Sequence, residues 1–101
     1  MAGLFSGPEA PTAVLAMSDR VAMHAIDWLF RNGRTVPGDV SVVGFDGVPE
    51  SAVSTPKLTT VEQPMAEIAR LAVDAALGGV QVEGRQILTP RLVVRETTAA
   101  R

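Results

Sequence analysis

The sequence has no cysteine and no tyrosine, and it holds one histidine, one tryptophan and three phenylalanines in 101 residues. Without cysteine there is no disulfide framework, no thiolate metal site and no cysteine nucleophile. The single histidine, His24, falls between Arg20, Asp27 and Arg31 on the polar side of a predicted helix. That pattern places it on a solvated surface rather than in a metal site or an acid–base pair. No cluster of His, Asp or Glu has metal-ligand spacing. No serine occupies a nucleophile elbow, and no glycine-rich loop opens a helix as phosphate-binding loops do. The expectation is a protein with no cofactor, no metal and no enzymatic activity.

Long apolar runs are missing as well. None approaches the roughly 18 to 20 residues needed to cross a membrane. The N-terminal stretch MAGLFSGPEAPT has no basic region leading into an apolar one, the order an export signal takes. A cytoplasmic location and no membrane partner are expected. Clustered positive charge is also lacking, because the nine Lys and Arg residues are scattered and the net charge is −2. Displacing phosphate counterions takes a concentrated basic surface, so these residues are not expected to touch DNA.

What remains is 47% hydrophobic and 20% charged, the composition of one globular domain or part of a larger one. Ala13 to Met17 (AVLAM) reads as a buried strand. Ser18 and Asp19 are positioned to cap or brace the helix that follows, to about Asn32, and Gly33 suits its left-handed C-terminal cap. On this helix Val21, Ala25, Trp28 and Leu29 form one apolar stripe, and Met23, Ile26 and Phe30 form a second, nearly opposite stripe. Pro37-Gly38-Asp39 is turn chemistry. Val40 to Phe45 follows as an apolar run of the kind buried on both faces. Strand, helix, turn and strand make a βαβ unit, so the fold class is α/β with parallel strands. Leu58 to Val61 is β-prone. Pro64 opens an unusually apolar helix to about Leu77, ended by Gly78-Gly79, and residues 80–86 form a loop. Residues Ile87 to Glu96 are extended, with Pro90 breaking them into two strand pieces, and TTAAR is a tail. About four short strands cannot cover two such apolar helices, so the chain reads as a piece of a larger fold or as an obligate oligomer.

The run Val40 to Phe45 stops on an acid, Asp46, followed by Gly47. By pattern alone Asp46 is either a turn cap or a ligand contact, because ligands of open α/β sheets sit beyond the C-terminal ends of parallel strands.

Four segments in order, PTAVLAMSD, VPGDVSVVGFD, PKLTTVEQP and LTPRLVVRETT, resemble the C-terminal end of the lactose-repressor (LacI/GalR) family of bacterial transcriptional regulators, from about Pro11 to Thr98. The resemblance implies a type I periplasmic-binding-protein-like fold of two α/β lobes. A small sugar or nucleoside effector would lie between the lobes, and DNA would be met only through a separate helix-turn-helix domain preceding them. It implies that residues 1–62 belong to the second lobe and that 63–86 cross back, with a helix packing in the first lobe. Residues 87–101 would supply closing strands and a tail. It favours effector contact for Asp46 and brings Ser18, Gln63 and Met65 toward the same cleft, with a cap for Ser18 and a core role for Met65 as alternatives. Gly47 departs from the family pattern, which often has a second acid or an asparagine there. The aromatics Trp28 and Phe45 read as core rather than as a platform for a sugar ring. A homodimer or higher oligomer is implied, with an interface formed by Met23, Ile26 and Phe30 together with Val48 and Pro49 in the loop from Gly47 to Pro56. The competing reading is a sugar-binding protein of a transport system, which shares the fold.

Overall fold

The computed structural model describes residues 2–78 and 87–100. The loop expected at 80–86 lies outside them. A βαβ unit comes first: β1 (Ala13–Leu15), α1 (Asp19–Arg31) and β2 (Ser41–Asp46). A 3₁₀ turn at Pro49–Ala52 leads to β3 (Thr59–Glu62), then α2 (Met65–Ala76) and β4 (Arg91–Val93). The strands lie in sequence order. β1, β2 and β3 are parallel, and β4 runs antiparallel to β3, with Val61 opposite Leu92. Ser18 caps α1 by accepting from the Val21 N–H at 3.2 Å, and Gly33 follows its C-terminus at φ +77°.

The two stripes expected on α1 are one arc. Ala22, Ala25, Ile26 and Leu29 are all buried, spanning about 100° of the helix wheel. Ile26 is only 5% exposed, whereas Val21, assigned to the core from the sequence, is 45% exposed. An arc centred on Leu29 places Ile26 inside one edge and leaves Val21 and Phe30 outside opposite edges. Ile26 therefore belongs to the core with Val40, Val42 and Leu58 rather than to an outward stripe.

Residues 1–11 do more than lead in. Ala2–Phe5 is a 3₁₀ turn that buries Phe5. The Phe5 ring sits 5.9 Å from that of Trp28, and the Arg34 guanidinium lies over it while donating to the Phe5 carbonyl.

Among the described residues, only one side of the sheet is covered. Val42 and Gly44 face α1 and are buried, but Val43 and Phe45 are only partly buried. On the same side as these two, by register, are Leu15 at 76% and Leu92 at 61% exposure. The expectation of strands buried on both faces is not met, because the described residues provide no second layer on that side. α2 likewise has no buried residue. The described residues extend over 56 × 25 × 22 Å with a radius of gyration of 17.3 Å, against about 13 Å for a compact unit of this length.

Beyond β4 the chain returns to the sheet. The Thr97 carbonyl accepts from the Val42 N–H, its hydroxyl donates to the Val42 carbonyl at 2.6 Å, and the same hydroxyl accepts from the Thr59 N–H at 2.9 Å. Thr97 is fully buried between the starts of β2 and β3, so this part of the expected tail is a wedge that joins two strands where they diverge. Thr97→Val keeps the volume but strands the Thr59 N–H, and a buried unsatisfied donor costs about 1–3 kcal/mol. Urea titration should give a midpoint lowered accordingly, and an unchanged midpoint would show that Thr97 is not part of the fold's hydrogen-bonded core.

Candidate functional site

β2 and β3 end side by side, with Asp46 opposite Glu62. The chain then turns away from both strands, at Gly47 after β2 and at Gln63-Pro64 after β3. Between these exits and the first turn of α2 lies a cavity of about 730 Å³, lined by residues 46–49 and 62–67. It is a crevice at the C-terminal ends of parallel strands, where open α/β sheets take their ligands.

Asp46 has φ +116°, a conformation an L-residue holds only under constraint, at a cost of about 1–3 kcal/mol. Gly47 follows at φ +76°, and a Cβ there would come 2.7–2.8 Å from three Glu62 atoms. Two successive residues at positive φ swing the chain out of the strand, and the absence of a side chain at Gly47 lets it pass against Glu62. Gln63 fixes the turn from the next strand. Its N–H donates to the Asp46 carbonyl at 3.0 Å and its side-chain Nε2 to Asp46 Oδ1 at 3.1 Å.

The structure therefore brings together three of the four residues singled out for the site, Asp46, Gln63 and Met65, the last 59% exposed rather than core. Ser18 is not among the residues lining this cavity; its hydroxyl oxygen caps α1. Val48 and Pro49, assigned to an interface from the sequence, also line this cavity, because the turn at Asp46-Gly47 carries them over the ends of β2 and β3. The groove beside α1 is lined by Met23, Ile26, Asp27, Phe30 and Ser54–Pro56. In it Phe30 is 45% exposed, whereas Ile26 offers almost no surface.

Glu62 and Glu67 also line the cavity, and the sequence reading passed over them. The available signal was position: one ends a strand and the other stands in the first turn of a helix. Glu62 pairs with Arg91 across the sheet at 3.1 Å. Three carboxyl groups and an amide, with no Lys or Arg among the lining residues, suit hydroxyl donors and disfavour an anion. Among the described residues no group of three or more His, Asp or Glu could hold a metal, and no helix is long and apolar enough to cross a membrane.

The periplasmic binding protein-like domain family matches residues 2–98. The HTH-type transcriptional regulator MalR of Clostridium butyricum is 39% identical over 89 residues, 85% of this chain and 27% of MalR. The LacI family transcriptional regulator of Arthrobacter sp. FB24, solved in complex with lactose, superposes with a TM-score of 0.81 at 34% identity, covering 97% of this chain and 38% of that one. The lac repressor dimer bound to operator and the anti-inducer ONPF gives a TM-score of 0.81 at 38% identity, covering 89% and 32% respectively. The chain spans less than a third of the length of the curated relatives it matches. Its fold, its four-segment pattern and these relatives agree: the chain belongs to the periplasmic binding protein-like domain family, among the LacI/GalR transcriptional regulators.

Proposed function

We propose that this chain is part of the effector-binding and dimerisation region of a LacI-type transcriptional repressor acting in the cytoplasm. Its effector would be a small neutral sugar or nucleoside, held in a cleft between two lobes. The observation that carries the reading is Asp46, a carboxyl group held at positive φ at the mouth of a cavity whose lining has acceptors but no cation. A carboxylate accepts two hydroxyl donors at once. In this reading Gln63 orients Asp46 and shares a hydroxyl with it, and Met65 packs on the apolar side of the ligand. Residues 1–62 form part of one lobe, 63–86 cross to the other and α2 packs there, and DNA is bound by a separate helix-turn-helix domain. The chain itself catalyses nothing. The alternative, a transport-system binding protein, is not favoured, because the relatives are transcriptional regulators.

In the intact regulator, Asp46→Ala should weaken effector binding by at least roughly tenfold, the value of one lost hydrogen bond to a charged group. A reporter assay against a panel of sugars and nucleosides should then show induction lost and repression retained. An unchanged induction response would remove Asp46 from the site.

Association is proposed through the groove beside α1, with Met23 and Phe30 facing a second copy and Ser54–Pro56 at its rim. Fully burying an exposed Phe side chain contributes about 1.5–3 kcal/mol; Phe30, 45% exposed, would gain about half of that, and in a two-fold interface it does so twice. Phe30→Asp should shift the protein toward monomer in light scattering, with helical content unchanged. A variant that stays dimeric at the same concentration would exclude this face.

A further inference from the structure

Asp19 is the first residue of α1 and is completely buried. Neither of its carboxyl oxygens serves its own helix. Oδ2 accepts from the Val48 N–H at 2.8 Å, and Oδ1 accepts from the Thr60 hydroxyl. β2 passes so close that a Cβ on Gly44 would collide with Oδ1 and come 2.9 Å from Leu58 Cδ2. One side chain thus joins the start of α1 to β3 and to the segment just after β2.

The contact with Val48 matters because of what precedes it. Asp46 and Gly47 are both at positive φ, and a strained conformation persists only where its surroundings over-determine it. The turn is held at two ends. On the near side the Asp46 carbonyl accepts from the Gln63 N–H. On the far side the Val48 N–H is held by Asp19.

We propose that Asp19 is a positioning residue for the cavity. By holding the Val48 N–H from beneath, it fixes the turn that aims the Asp46 carboxyl group outward, and it makes that turn and the N-terminus of α1 one hydrogen-bonded unit. Its meaning for effector binding rests on the reading of Asp46 given above, but the positioning itself is tested without a ligand.

Amide hydrogen exchange on the full chain, read residue by residue, is the test. Val48 follows a strand and precedes a 3₁₀ turn, yet its amide should be protected. Asp19→Ala should speed its exchange by roughly tenfold to a hundredfold, the range for a lost hydrogen bond to a charged acceptor. The change should be confined to residues 46–48, with the interiors of α1 and β2 unaffected. Asp19→Asn retains an oxygen acceptor and should restore slow exchange at Val48. Fast exchange at Val48 in the unaltered chain would overturn the proposal, as would acceleration spread evenly over α1 and β2, which marks a merely structural role. If Asp19→Ala does not fold, protection in the unaltered chain and its retention in Asp19→Asn decide the matter. Should Asp19→Ala free the turn while Asp46→Ala leaves lactose and ribose binding unchanged, the effector reading falls and the positioning role stands.

Discussion

A carboxyl group taken out of water must find donors for both oxygens or cost the fold several kcal/mol. Asp19 is in that position, and the arrangement around the cavity follows from how it is satisfied. Its donors come from a loop and a strand far away in sequence, Val48 and Thr60. They can reach it only if β2, lying between them, carries no side chain at Gly44. Given that contact, β2 and β3 end in register, and their exits diverge at Asp46-Gly47 and at Gln63-Pro64. The cavity is the space those exits leave.

A second constraint acts at the other end of the sheet. β2 and β3 separate at their N-terminal ends, and Thr97 fills the gap with three hydrogen bonds to them. Arg95 adds to this anchorage, donating to the Leu58 carbonyl and the Ser51 hydroxyl, each at 2.9 Å, which ties the 3₁₀ turn to the start of β3. The segment after β2 is therefore held by Asp19 at one end and by Arg95 at the other, and residues 46–49 are presented from a firm base. In the proposed role, a binding group placed this way would spend little conformational entropy when a ligand arrives.

The apolar surfaces divide into two kinds. α1 buries a continuous arc on the sheet and keeps Phe30 at its margin. The opposite face of the sheet and all of α2 lack a second layer within the described residues. The hydrophobic effect does not leave Leu15, Leu92, Val73 and Leu77 in water without opposition. Apolar surface of this extent on the described residues calls for a covering partner. That accords with the proposed crossing of residues 63–86 between lobes.

The sequence alone determined the parallel βαβ core and the ends of the helices, because these depend on local properties: apolar periodicity, Ser18 as a cap, Gly33 at positive φ and Pro64 at a helix start. Of the two strand pieces expected over Ile87 to Glu96, only β4 at Arg91–Val93 forms, and residues 87–90 before it are not a strand. The sequence also marked Asp46, since an acid at the end of an apolar strand is a local anomaly, whereas Gln63 was marked only by the family resemblance. Tertiary structure alone decided the rest. That Ile26 is core and Val21 is not depends on where the helix rolls against the sheet, a choice between arcs whose composition is nearly equal. That Val48 and Pro49 line the cavity depends on a turn whose direction is set by Asp19, 29 residues away. That Thr97 is a wedge rather than a tail depends on a gap between two strands that does not exist until they have paired. In each case the deciding partner is distant along the chain, and no local pattern records which partner a side chain will meet.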